Sequence, residues 1–354
     1  MRVLITHEIF PPEFTGGGEF LMLKIAEILK KNGFQVKVLT SGKPEIKSYK
    51  GIETVRIPIN RYLMNFTLPF ILKYGSQADV ILTTSGNLCF PSWLASKVLK
   101  KPIVCYVNHI LGPYWKDVRG KIAGRIFEFF EKIFLSRDFD AIIFQNNSAL
   151  ALGKKIGLKA KRIFLIHPGV DFKKFKPRKK ENFVLFVGSV KMDKSLIKLK
   201  GLEYLIEAAK KLPETKFVIV GGGKDLENLK KIAPENVIFK GILRGKALSD
   251  VYGKALIFCL PSLSEGFGLS ILEAMASGCA IVSTISIGQV DKIIKRKSSE
   301  EISKRIISLI RNKEFTVKIG KKNRRLAKHY TWERFENELV EVFKLILKKK
   351  KIMI

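Results

Sequence analysis

The sequence predicts an α/β protein built from two Rossmann-like halves, and three observations carry that expectation. Residues 1–40 read strand, loop, helix, strand: VLIT, then an apolar-periodic stretch from Phe20 to Leu29, then Val36 to Leu39. After residue 181 the alternation restarts with NFVLFVGS, LEYLIEAAKKL and KFVIVGGG. Between the two lies Pro177 to Asn182, polar and basic, with the composition of a hinge. Alternating β and α segments of this kind give parallel sheets covered by helices. A chain of 354 residues is long enough for two domains, each with its own core.

Composition narrows the class. The chain is 46% hydrophobic and 27% charged, a globular balance. No apolar run reaches the roughly 18 residues that cross a bilayer. The start, MRVLITHEIF, lacks the plan of a signal peptide, so a cytoplasmic protein is expected. Cys89, Cys105, Cys259 and Cys279 form no C-x-x-C pair and read as buried thiols. The net charge of +33 attracts polyanions, whether nucleic acid, an anionic membrane or phosphorylated substrates. Nucleic acid is the weakest of these, because no basic–aromatic recognition motif or zinc spacing accompanies the charge.

In chain order, Gly16, Gly17 and Gly18 open the first helix, where a phosphate could approach the backbone, and Asn32-Gly33 closes it. Val55 to Ile59 is a strand. Arg61 to Tyr74 is apolar, aromatic and basic at its ends; it suits either a lipid interface or a helix covering the core, and the core is favoured. VILTTS and IVCYVNH are strands with a helix near Ser92 to Leu99, the second of them ending at His109. A histidine at that end of a sheet strand faces the ligand crevice. Trp115 to Ser136 interleaves Phe127, Phe129, Phe130 and Phe134 with Lys121, Arg125 and Lys132, which suits an anionic surface or a sheet-packing helix equally. Asp138-Phe139-Asp140 spells D-x-D, read here as a helix-to-strand turn.

The most informative stretch runs from Leu260 to Thr284, LPSLSEGFGLSILEAMASGCAIVST. It reads strand end, glycine loop, helix and strand. Gly266 and Gly268 flank Phe267 where the helix starts, so an anion can reach free N–H groups up to Leu269. Glu265 and Glu273 stand beside that anion nest. Two carboxylates there make electrostatic sense if they accept hydrogen bonds from a ligand's hydroxyls, and a nucleotide-sugar has both the diphosphate and the hydroxyls.

As a whole string, this segment resembles the donor-binding signature of the retaining GT-B glycosyltransferases of family 4. HPGVDFKKFKP, before the hinge, resembles the family's segment ahead of its linker. The resemblance implies a GT-B fold: two facing Rossmann-like domains, an interdomain cleft, and a C-terminal helix crossing back to the first domain. It implies boundaries of 1–176 for the acceptor side, 177–330 for the nucleotide-sugar side, and 331–354 for the crossover helix and basic tail. It implies retaining sugar transfer from a nucleotide-sugar to a glycan or lipid-linked acceptor, without a metal or other cofactor. It gives His109, Glu265 and Lys200 catalytic roles. Donor contacts fall to Gly16, Gly17, Ser189, Lys200, Gly266, Phe267, Gly268, Leu269 and Glu273, with Glu273 on the ribose and Lys200 on the diphosphate.

Two departures stand out. The family's usual arginine after the first strand of the second domain is replaced by Ser189, with Lys191, Lys194 or Lys198 as candidate substitutes. After Thr284 the usual glutamate turn and strand are not evident, and Asp291 is the candidate for the acidic position. A degenerate transferase kept as a binding scaffold is therefore the alternative. The basic, aromatic composition adds the expectation of a peripheral position at the inner face of a membrane.

Overall fold

The computed structural model describes residues 1–13, 16–189, 199–223, 226–288 and 293–348. Lys191, Lys194, Lys198 and Asp291 lie outside the described residues. The chain divides into two compact units, the first comprising 1–112, 127–167 and 333–354, the second 113–126 and 168–332. The division thus falls at 167/168 instead of 176/177, and residues 113–126 group with the second unit. It passes through the helix Lys121–Leu135.

The first unit holds an eight-stranded sheet. Its strands are β1 (Arg2–Ile9), β2 (Gln35–Ser41), β3 (Ser48–Tyr49), β4 (Ile52–Ile57), β5 (Val80–Thr84), β6 (Ile103–Tyr106), β7 (Ala141–Phe144) and β8 (Ile163–Leu165). They lie in the order β3-β4-β2-β1-β5-β6-β7-β8, parallel throughout except for the β3–β4 pair. β5, β6 and β7 are buried along their whole length, the mark of central parallel strands covered on both faces. The helix Trp332–Lys348 completes this unit from Glu333 onward. Lys31 and Asn32 donate to Glu336, and Phe343 packs edge-on against Phe34 with ring centroids 5.9 Å apart. The crossover expected for the last helix is therefore present.

Local readings fare unevenly. The first helix, Gly17–Lys31, is closed by Gly33 at φ 81, the left-handed conformation an N-G pair supplies. β6 stops at Tyr106, so His109 lies three residues beyond the strand, not at its end. Arg61 to Tyr74 forms a short 3-10 turn, Arg61–Phe66, and a helix, Leu68–Ser76. Met64, Thr67 and Ile71 are buried, while Tyr62, Leu63, Phe66 and Phe70 are exposed. The stretch covers the core as favoured, since Met64 and Ile71 join a core cluster that Leu68, Leu72 and Tyr74 pack against; what differs is that two short elements replace one helix, which leaves the other aromatics outside. Trp115 to Ser136 is also two helices, Trp115–Arg119 and Lys121–Leu135, broken at Gly120 with φ 85. Asp138 accepts from Trp93 and Lys97, and Asp140 from Ile103 N and Lys161, so the D-x-D carboxylates are engaged in local structure.

The second unit holds a five-stranded, wholly parallel sheet of β9 (Glu181–Val187), β10 (Lys216–Val220), β11 (Val237–Phe239), β12 (Ala255–Leu260) and β13 (Ala280–Ser283), ordered β11-β10-β9-β12-β13. β12 is buried at every position. Consecutive strands step outward from β9 to β10 and β11, then the chain returns to the other side of β9. Such a reversal opens a crevice at the strands' carboxyl ends, between β9 and β12. All four cysteines are free and buried.

Candidate functional site

The reversal in the second unit sets the carboxyl end of β9 beside that of β12. Ser189 comes directly after Gly188, whose N–H donates to Val220 O at 3.0 Å as the β9 ladder ends. Pro261 to Gly268 extends from the end of β12. The segment carrying Lys200 docks against this second loop through a single residue. Gly201 caps the helix Leu202–Lys210 with φ 67, and a Cβ there would meet Pro261 O at 2.1 Å. Glycine alone permits that approach, for steric and dihedral reasons together. Leu263 N donates to Leu199 O at 2.8 Å, which fixes the register of the two segments.

With the backbones so close, the side chains meet. Lys200 Nζ lies 2.6 Å from Glu265 Oε1, and Ser262 Oγ donates to the same oxygen at 2.6 Å. Both members of the ion pair are largely buried, with side-chain exposures of 23% and 11%. Thr284 Oγ1 donates to Ser262 O, and Arg296 Nε donates to Leu263 O at 2.8 Å. Arg296 also lies over the Tyr114 ring, 5.2 Å from its centroid. The loop before Glu265 is thereby held from three sides.

The helix Leu269–Ala276 begins at Gly268, φ 91, with no side chain capping it and no acidic residue in its first turn. The first N–H groups of a helix lack partners within it and carry the positive end of the dipole. Phe267 has its side chain in the core of the second unit, 5.9 Å from Tyr330 between ring centroids, so any contact it makes with a ligand is through backbone. Glu273 sits on the second turn of this helix. Burial pushes its carboxyl up to about 7, against the lowering influence of the Tyr252 hydroxyl and of Lys174. A carboxylate kept half out of water, beside a hydroxyl and a lysine, is arranged to accept hydrogen bonds.

Lys200, Glu265, Gly266, Phe267, Gly268, Leu269, Glu273 and Ser189 thus share the second unit. His109, Gly16 and Gly17 belong to the first. There His109 N and O both meet Ser85 Oγ, at 3.4 and 3.0 Å, where the chain leaves β5 and β6. His7 is buried, bonded to Thr84 Oγ1 at 3.0 Å, and lowered to about 3 by burial and by Arg61. Sequence reasoning missed Ser262, Thr284, Arg296, Tyr252 and Lys174. Ser262 and Thr284 lie in the signature string itself and Lys174 in the HPGVDFKKFKP segment; Arg296 and Tyr252 have no local pattern to mark them.

Two family models match the chain. Residues 15–174 match Glycosyltransferase Family 4, and residues 170–326 match Glycosyl transferases group 1. An uncharacterized glycosyltransferase of Haemophilus influenzae is 29% identical, over 91% of this chain and 95% of its own. Sucrose-phosphate synthase of Thermosynechococcus elongatus superposes with a TM-score of 0.84 at 19% identity, covering 98% of this chain and 99% of its own. HepE of Anabaena, solved with UDP-glucose, gives 0.75 at 17% identity, covering 97% and 99%. The fold is GT-B.

Proposed function

Because the chain belongs to the family 4, group 1 glycosyltransferases, we propose that it moves a sugar from a nucleotide-diphosphate donor held by its second unit, with retention of anomeric configuration and without a metal. The single observation that carries this reading is the Lys200–Glu265 pair, locked by Gly201 against Pro261 and set in the same loop as an uncapped helix start. HepE's complex with UDP-glucose, and the GDP-mannose-dependent mannosyltransferase of Corynebacterium glutamicum among the relatives, support a nucleotide-sugar as the class of donor.

Each residue has a task in this reading. Glu273 accepts hydrogen bonds from the ribose diol, since a carboxylate offers two acceptor oxygens. Lys200 keeps donors beyond the one engaged by Glu265, and these, with the N–H groups at the helix start, take the diphosphate. As the bond from the anomeric carbon to the phosphate oxygen breaks, negative charge grows on that oxygen. Donors already aimed at it stabilise the transition state without reorganisation. Glu265 holds sugar hydroxyls and opposes the positive charge that develops on the ring. The acceptor attacks from the face the leaving group departs, and the departing phosphate takes the acceptor's proton. His109 is kept as a proposed catalytic group of the first unit. The scaffold alternative is not favoured, since the acidic pair, the lysine and the glycine helix start are all present.

For the acceptor we propose a glycan or a lipid-linked molecule at an anionic membrane face, in keeping with the charge of +33. No described helix is long and apolar enough to cross a membrane. A thermal-shift screen with UDP, GDP and their hexose conjugates tests the donor reading. One conjugate raises the midpoint in wild type and fails to do so in Glu273→Ala; equal shifts in both proteins remove the ribose assignment.

A further inference from the structure

The helix Lys121–Leu135 has an inner and an outer row that can be told apart by contacts. Gly124 is buried where a Cβ would meet Lys116 Cα at 2.5 Å. Glu131 accepts from Leu111 N at 3.0 Å and Gly112 N at 2.6 Å, and Leu135 is fully buried. Gly124, Glu131 and Leu135 stand at i, i+7 and i+11, one row of a helix with about 3.6 residues per turn. The opposite row is Ile122, Ile126, Phe129, Phe130 and Ile133. Four of these are exposed, Ile122 at 80%, Phe129 at 59%, Ile126 at 51% and Phe130 at 46%. Soluble surfaces seldom gather large apolar side chains in one unbroken stripe.

Charge says what the stripe meets. Lys121, Arg125 and Lys132 stand at i, i+4 and i+11 and form a third row directly beside it. The helix's acidic groups, Glu128 and Glu131, lie away from the stripe, and Glu131 is turned inward to the backbone of Leu111 and Gly112. A cationic row flanking an exposed aromatic stripe matches an anionic bilayer: rings enter the acyl boundary while ammonium and guanidinium groups meet phosphates. The first unit also exposes Tyr62, Leu63, Phe66 and Phe70 between Arg61 and Lys73, the same chemistry on a second element.

We propose that the outer face of Lys121–Leu135 is a membrane-docking surface that seats the protein on anionic phospholipid. The inference rests on the acceptor half of the proposed function and is independent of the donor half. Its test uses the full chain with vesicles of phosphatidylcholine and phosphatidylglycerol at about 7:3, and of phosphatidylcholine alone, in co-sedimentation at about 100 mM salt. Wild type pellets with the anionic vesicles and stays in solution with the neutral ones. Ile126→Ser with Phe129→Ser reduces partitioning by roughly tenfold per residue. Arg125→Glu with Lys132→Glu reduces it by about fivefold or more per charge. Circular dichroism and the nucleotide-sugar thermal shift stay at wild-type values in all of these variants, which separates a failed docking surface from a failed donor site. Wild type that ignores anionic vesicles, or variants that bind them as wild type does, overturns the proposal. So does a solution dimer that Phe129→Ser dissociates, since the stripe would then be a subunit interface.

Discussion

The two units each open a helix on glycines just beyond a central strand, yet the two openings differ in what they can hold. In the first, Gly16 precedes Gly17–Lys31 with an extended φ of 179, and Glu19 lies in the first turn, its carboxylate 3.8 Å from where a Gly16 Cβ would sit. An acidic group already occupies the positive end of that dipole. In the second, Gly268 is left-handed, the first turn carries no acid, and a lysine is held close by through Gly201. A glycine at a helix start therefore does not make an anion site. The surrounding charge does, and that charge comes from a segment 65 residues away in sequence.

The largest effect that would sharpen this contrast belongs to Lys200. Lys200→Ala is expected to lower kcat by roughly 10²–10³-fold, the usual loss when one preorganised donor to a developing negative charge is removed. Steady-state kinetics check it, and an equal loss confined to KM would move Lys200 from leaving-group support to ground-state binding. Next comes Glu273→Ala. Hydrogen bonds to a charged acceptor are worth about 1.5–3 kcal/mol, so donor affinity should fall by roughly 10–100-fold, read by calorimetry.

Backbone substitutions test the geometric half of the comparison. Gly201→Ala drives a Cβ into Pro261 O from a left-handed φ of 67 and should cost about 1–3 kcal/mol in denaturant unfolding, with donor affinity lost alongside. Gly16→Ala meets nothing closer than 3.8 Å and should stay within about 0.5 kcal/mol of wild type. If the two glycines proved equally sensitive, the asymmetry drawn between the openings would fail.

The smallest effect is a pH dependence. The folded carboxyl of Glu273 is raised to about 7 from 4.5, so the native state holds this proton more tightly than the unfolded chain. Its contribution to stability is fully present below about pH 4.5 and is lost as pH climbs through about 7. Glu273→Gln should therefore gain stability relative to wild type between about pH 5 and about pH 8, bounds set by that shift. Donor affinity in wild type should rise over the upper part of the same range, because ribose hydroxyls donate to the ionised form. A flat difference between the two proteins across pH would remove the burial of Glu273 as its cause.

Much of this molecule is legible in its residues. Strand and helix positions follow from local periodicity. Left-handed glycines at 33, 201 and 268 stand where turn chemistry puts them, and the acidic pair with its glycine loop marks the donor side. These are properties of neighbours in sequence, governed by side-chain spacing and backbone sterics. Other features needed the fold. Which face of Lys121–Leu135 turns outward is set by Glu131 finding two N–H groups at Leu111 and Gly112. The exposure of Phe66 depends on how few positions two short elements can seat. The meeting of Lys200 with Glu265, and the raised proton affinity of Glu273, arise from sheet order, close backbone approach and burial. None of these is encoded in the spacing of nearby residues, because each depends on which distant segments the sheet places side by side.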